Sequence, residues 1–277
     1  MIQEKVNYYL DYCLNVRRMT TKSIDSKRHV LNRFSDFVGE KRLSEVTNED
    51  FNLWIKSLVG KNIKANSIND YTQKLVAMFR FYLEMGEKLS IKIPLIPQLK
   101  GEPRRKNFYP KEVIDEVLRN TTNETAELMI RICYDTGMRL NELTCLKKSD
   151  FSGKKIHYMG KGRNWHDTWV RDETYQKLLR YCEDYGVQEF IFFEKNPSVH
   201  LAPQVVARYM KDAFKSCGYD DFHPHALRHS FAFNLQRQGA SVIEIQHMIG
   251  HLHLKTTEEY LHGFEEDKMA SLFEKYS

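Results

Sequence analysis

The sequence lacks any run of about 18 apolar residues, the length that a helix needs to span a lipid bilayer, so we expect no transmembrane helix. Charges are present throughout the first 20 residues, which excludes a secretory signal peptide. Cysteine is sparse and odd in number, because the five cysteines are scattered and none forms a CxxC pair. We therefore expect reduced, mostly buried thiols in a cytoplasmic protein.

The composition is that of a folded protein whose charge is unevenly distributed. Of 277 residues, 42% are hydrophobic and 29% are charged, which fits one large domain or two ordinary ones. Residues 1–106 hold eight more basic than acidic side chains, whereas the remainder holds three more acidic than basic ones. A basic N-terminal part indicates a polyanionic partner, usually DNA or RNA, although a solvated basic surface would show the same balance.

Apolar residues at helical spacing predict four helices within residues 1–90, which together form a small all-α bundle. The first helix is predicted over residues 2–18 with Leu14 in its buried stripe, and the fourth is predicted to be capped by Asn66 or Ser67. Basic residues fall mostly between the apolar ones, where they could follow a phosphate backbone. These DNA-binding candidates are Lys22, Lys27, Arg28, Lys61, Lys64 and Lys74.

Residues 91–106 contain three prolines and a glycine, which discourage a helix and predict an extended linker. The linker ends in a basic cluster that adds to the DNA-binding candidates: Arg104, Arg105 and Lys106. Further helices are predicted beyond it, together with a hairpin whose short strands are 155–159 and 165–170. A glycine-rich turn containing Lys161 joins these strands, and a lysine in such a turn is by default a solvated charge.

Residues 223–262 combine arginine, histidine and tyrosine in a way that suggests chemistry on a phosphodiester. His225 and Arg228 are three residues apart, so they share one face of a helix that buries an apolar stripe and exposes a basic one. An arginine fork matches two phosphate oxygens, and a histidine donates a hydrogen bond or moves a proton near neutral pH. His251 and Tyr260 follow, and tyrosine is a side chain that can attack as a nucleophile.

A second arginine lies upstream, in the segment TGMRLNEL. Gly137 allows a tight turn before Arg139, and Glu142 lies three residues further along. Glu142 can therefore brace Arg139 or a neighbouring imidazole from the same helical face, although an exposed ion pair would have the same spacing.

Zinc is the rival interpretation of the histidines, because His247 and His251 have the i, i+4 spacing of two ligands. No carboxylate or cysteine completes a set, and Gly250 should end the helix before His251. We therefore expect neither a metal nor another cofactor.

Four segments resemble the motifs of tyrosine recombinases, the phage-integrase and Xer family. They are TGMRLNEL, GKG, HALRHSF and IGHLHLKTTEEY, in the order of that family's motifs. The resemblance implies a mainly α fold with a small β-sheet or hairpin in the catalytic domain, arranged as a two-domain DNA clamp. We expect a helical core-binding domain at 1–90, a linker at 91–106 and a catalytic domain at 107–277.

The resemblance also implies roles for individual residues. Tyr260 would attack a DNA phosphate and form a 3′-phosphotyrosine, while Lys161 would protonate the leaving 5′ oxygen. His225 would act as general base or donate to the phosphate, and Glu142 would support the site. The donors that stabilise charge on the phosphate would be Arg139, Arg228 and His251.

The partners implied are double-stranded recombination sites and other copies of the chain, four in the synaptic complex, with no membrane and no ATP. The last helix, 265–277, is predicted to dock on a neighbouring protomer. A helical bundle that begins almost at Met1 favours an Xer-like or small-element recombinase over a large phage integrase. A catalytically inert DNA-binding regulator and a type IB topoisomerase, which rejoins the same strand, are alternatives. Integration or excision of a mobile element and resolution of DNA multimers also stay open, and accessory proteins are unknown.

Overall fold

The computed structural model describes residues 1–101, 107–160 and 164–250, and the chain divides into two compact units, 1–104 and 105–277. The described part is mainly helical, and its one sheet lies in the second unit, which confirms the predicted fold class. Within the described ranges, no helix is both long and apolar enough to cross a lipid bilayer.

The first unit is a bundle of four helices around an aromatic core. Phe34 lies at its centre, with ring centroids 4.9 Å from Phe51 and 5.2 Å from Trp54. Thr47 and Asp50 form a capping box at the start of the third helix. The helices are α1 (Ile2–Asn15), α2 (Thr21–Val38), α3 (Asn48–Gly60) and α4 (Ala65–Glu84).

Two sequence predictions for this unit are wrong. Leu14 is 40% exposed, while Tyr9 and Cys13 lie in the core. A strict i+4 series drifts by about 40° per step around an α-helix, so its fourth member leaves the face that the first one buries. Neither predicted residue caps α4, because the helix begins at Ala65 and the Asn66 amide packs against Gly101 instead.

The second unit is built around α6, which is buried on almost every side and packs against the neighbouring helices. Asn123 caps its first turn by accepting from the backbone N–H of Ala126 at 2.9 Å. The helices are α5 (Lys111–Asn120), α6 (Glu124–Thr136), α7 (Leu140–Thr144), α8 (Asp172–Asp184), α9 (Pro203–Lys215), α10 (His225–Arg237) and α11 (Val242–Ile249).

The sheet is a three-stranded antiparallel meander, and its longer pair is the predicted hairpin. Side chains of the middle strand alternate between buried and exposed, as expected for a sheet with one face on the core. The Gly160 N–H donates to the Asn164 carbonyl at 2.8 Å and closes the hairpin. The strands are β1 (Phe151–Ser152), β2 (Lys155–Met159) and β3 (Trp165–Trp169).

Candidate active site

The end of α6 creates the turn on which the candidate site is built. Gly137 ends the helix with φ of +64°, a conformation that glycine adopts without steric cost. A β-carbon at Gly137 would also lie 2.4 Å from Cδ1 of Phe231 on α10. Glycine is therefore required twice, for the turn and for the close approach of α10, and the turn delivers Arg139 to the start of α7.

Arg139 and Glu142 form a hydrogen-bonded ion pair, and the carboxylate of Glu142 is almost completely shielded from solvent. Glu142 accepts the backbone N–H of Arg139 at 2.7 Å and its Nη1 at 2.8 Å, and the carboxylate side chain is 5% exposed. Burial raises the pKa of Glu142, but the two hydrogen bonds from Arg139 and the charge of Arg228 hold it below its usual value. The pair is a partly buried, charge-assisted contact, so the alternative of an exposed ion pair is wrong.

Arg228 lies inside the unit rather than on an exposed stripe, so that part of the sequence prediction is wrong. The residue is 1% exposed, and the whole stretch 226–233 of α10 is buried. Its Nη1 donates to the Gly137 carbonyl at 2.7 Å and its Nη2 to the Ile249 carbonyl at 2.5 Å. One guanidinium thus ties the end of α6 to the end of α11, and these carbonyls replace the water that an exposed arginine would bind.

His225 stands one turn before Arg228 on α10, beside the same charges. Its ring meets that of His229 at a centroid distance of 4.8 Å in a T-shaped arrangement. His225 keeps an exposed edge, yet burial of the rest and the positive charge of Arg228 together lower its pKa to about 4. The imidazole is therefore neutral at physiological pH and able to accept a proton.

Three of the predicted site residues, Lys161, His251 and Tyr260, lie outside the described residues. Described residues close in sequence to Lys161 and His251 lie beside Glu142 and Arg228. A β-carbon on Gly160 would lie 3.4 Å from Oε1 of Glu142. The carbonyl that accepts from Arg228 belongs to Ile249, two residues before His251.

Some basic candidates of the first unit have partly buried side chains that are bonded within the protein, and others have exposed side chains. Lys27 donates to the Tyr9 hydroxyl at 3.3 Å, and burial lowers the pKa of this lysine. Lys74 is paired with Asp70 at 2.7 Å. Arg104, Arg105 and Lys106 lie outside the described residues. The candidates with exposed side chains are Lys22, Arg28, Lys61 and Lys64.

Sequence reasoning missed the inner lining of the site. Burial, together with the nearby charge of Glu142, raises the pKa of Tyr158 to about 12, so this tyrosine stays protonated at neutral pH. Cys133 is fully buried, which raises the pKa of its thiol to about 12. Alternating burial along β2 could have indicated Tyr158, but no spacing rule points to Cys133. Within the described residues, no group of three or more His, Cys, Asp or Glu side chains is placed to hold a metal ion.

Comparison with known families identifies the class of protein. Residues 108–267 match the phage integrase family, and residues 7–86 match the phage integrase N-terminal SAM-like domain. Because the first match alone spans more than half of the chain, this protein belongs to the phage integrase family and is a tyrosine recombinase.

Individual relatives resemble the chain over nearly its whole length. A tyrosine recombinase from Thermosipho africanus is 28% identical over 284 residues, covering 95% of this chain and 96% of the relative. The structure of XerH recombinase bound to a palindromic difH substrate matches with a TM-score of 0.77 at 18% identity, over 95% of this chain and 83% of that one. A lambda integrase tetramer on a Holliday junction matches with a TM-score of 0.74 at 18% identity, over 91% of this chain and 77% of that one.

Proposed function

We propose that this chain cuts and rejoins specific DNA sites through a 3′-phosphotyrosine on Tyr260. The observation that carries the proposal is the arginine cluster at the end of α6. Two guanidinium groups, 89 positions apart in the sequence, meet around one buried carboxylate and the Gly137 turn. Arginines held this rigidly suit a transferring phosphoryl group, whose transition state spreads negative charge over its oxygens.

The proposed reaction exchanges one phosphodiester for another, so it needs no external energy source. The Tyr260 oxygen attacks the phosphorus, its proton goes to the neutral imidazole of His225, and the bond from phosphorus to the 5′ oxygen breaks. Lys161 gives the leaving oxygen its proton. The 5′-hydroxyl of a partner strand then attacks the phosphotyrosine, which releases Tyr260 and leaves the two strands exchanged.

Charge stabilisation is assigned to Arg139, Arg228 and His251. Glu142 is not expected to touch DNA, because both of its oxygens accept hydrogen bonds from Arg139 and its side chain is buried. Its role is to fix the guanidinium before substrate arrives, so that no reorganisation is needed during the reaction.

We also propose that the basic first unit and the catalytic unit grip the duplex together, with four copies in the synaptic complex. The charge excess of residues 1–106 supports the grip, and two exposed lysines, Lys61 at the end of α3 and Lys64 just before α4, are suitable phosphate contacts. The lambda integrase relative is described as a tetramer on a Holliday junction, which supports self-association.

The decisive experiment uses a nicked suicide substrate, in which the leaving fragment diffuses away and the covalent adduct accumulates. Wild-type protein should form a protein–DNA adduct, and Tyr260→Phe should form none. Rejoining only to the original strand would indicate topoisomerase chemistry. The absence of an adduct on every candidate site would indicate a DNA-binding regulator, and sites flanking a mobile element or a replication terminus would separate integration from multimer resolution.

A further inference from the structure

The His166 ring on β3 is wedged between two glycines from different parts of the second unit. A β-carbon on Gly160 would lie 2.5 Å from Cδ2 of His166 and 2.8 Å from its Nε2. A β-carbon on Gly250 would lie 2.9 Å from both Cε1 and Nδ1. These distances are shorter than real β-carbon contacts, so the imidazole fills space that only glycine leaves open on both sides.

The two glycines occupy informative positions. Gly160 follows β2 and directly precedes Lys161, while Gly250 caps α11 and directly precedes His251. A third contact comes from Tyr158, whose ring centroid lies 5.7 Å from that of His166. The imidazole therefore touches the backbone immediately before two residues to which we have assigned catalytic roles.

The hairpin and the end of α11, which contact the His166 ring from opposite sides, differ in their other contacts. The end of α11 is anchored independently, because Arg228 binds the Ile249 carbonyl at 2.5 Å. The bond that Gly160 donates to Asn164 lies within the hairpin and does not fix the hairpin to the helices. The buried side chains of β2 hold the body of the hairpin on the core, so loss of the ring should free its Gly160 end more than the end of α11.

We propose that His166 is a positioning residue that sets the base of the hairpin and so aims Lys161 at the leaving 5′ oxygen. The proposal rests on the proposed function, because Lys161 must first be the general acid. His166 acts through packing of its ring rather than by contacting DNA, and its effect falls on protonation of the leaving group.

The test compares two suicide substrates, one with oxygen and one with sulfur at the bridging 5′ position, since a thiolate leaves without a proton. With His166→Ala, cleavage of the oxygen substrate should fall at least about tenfold, while the sulfur substrate is cleaved near the wild-type rate. His166→Phe retains a flat ring and should retain most of the activity. Wild-type rates on both substrates, or equal losses on both, would overturn the positioning role.

A double-mutant cycle tests the contact itself without DNA. Gly160→Ala should lower the thermal stability of the wild-type protein, because its new β-carbon collides with the ring. In the His166→Ala background the same change should have little effect, since the space is then empty. Gly60→Ala is the matched control, because a β-carbon there meets nothing within 4 Å and needs no unusual φ. Additive effects of the two substitutions would overturn the contact between Gly160 and the His166 ring. If the two substitutions are coupled but the wild-type protein forms no covalent adduct with DNA, the contact stands and the proposed function is refuted.

Discussion

Replacing Glu142 by glutamine should destabilise the catalytic unit strongly, although it changes one oxygen into an amide nitrogen. Glutamine can accept only one of the two hydrogen bonds that Arg139 donates at 2.7 and 2.8 Å, and it turns a donor toward the other. A hydrogen bond to a charged group contributes about 1.5–3 kcal/mol, and a broken buried ion pair costs about 3–5 kcal/mol. We therefore expect a loss of about 3 kcal/mol in the free energy of unfolding.

Calorimetry measures this loss directly. For a unit of this size, 1 kcal/mol corresponds to a shift of about 2–4 °C, so Glu142→Gln should melt about 6–12 °C lower. The pKa of Glu142 is held below its ordinary value, so its stabilising charge is fully present above that value and is lost as the pH falls through the lowered folded pKa. The gap between wild type and variant should accordingly close in acid, below a pH of about 4.5.

Glu45→Gln is a closely matched control. Glu45 also lies three residues after an arginine and accepts the backbone N–H of Arg42 at 2.9 Å, but these side chains are 54% and 78% exposed. An exposed pair of this kind contributes little, so its loss should be under about 0.5 kcal/mol. Equal losses from Glu45→Gln and Glu142→Gln would refute the reasoning that burial makes the Arg139 brace strong.

Three further predictions concern DNA. Arg139→Ala and Arg228→Ala should each slow cleavage at least about 100-fold in a single-turnover assay, while the gel-shift affinity for DNA stays near that of the wild type. Unchanged cleavage would show that the substituted arginine does not belong to the site. Binding should weaken with salt at a log–log slope of about −0.9 per phosphate contact, and Lys64→Ala should flatten it more than Lys74→Ala, whose amine is paired with Asp70. By NMR the pKa of His225 should lie near 4 without DNA and should rise when a phosphate binds. A value near 6.5 in the free protein would contradict the partly buried, cationic surroundings.

Local features were predictable because they depend on neighbouring residues alone. The capping box at Thr47, the helix end at Gly137 and the start of α11 at Ser241 all follow from side chains within a few positions. The predictions for Leu14 and Asn66 were wrong for two different reasons. The i+4 series that placed Leu14 in the core drifts around the helix, whereas the Asn66 amide packs against Gly101, a partner that is distant in the sequence.

The surroundings of Arg228 were beyond sequence reasoning for the same cause. Its carbonyl acceptors lie 91 and 21 positions away, at Gly137 and Ile249, and any residue type supplies a carbonyl. Motif order identified the arginine, but composition could not show that it would be buried. The packing of His166 between Gly160 and Gly250 was also not predictable from the sequence, because a glycine has no side chain that would indicate which residue it contacts.

Burial of Arg228 has a consequence for the electrostatics of the whole site. Backbone carbonyls solvate a guanidinium but do not neutralise it, so Arg228 adds positive charge beside the ion pair of Arg139 and Glu142. A positive charge held away from water interacts more strongly than it would at the surface. The lowered pKa of His225 responds to this field, because the repulsion from Arg228 adds to the effect of burial. A phosphate that enters the site would be attracted by this field, which is why a site built in this way is suited to a phosphodiester before any reaction begins.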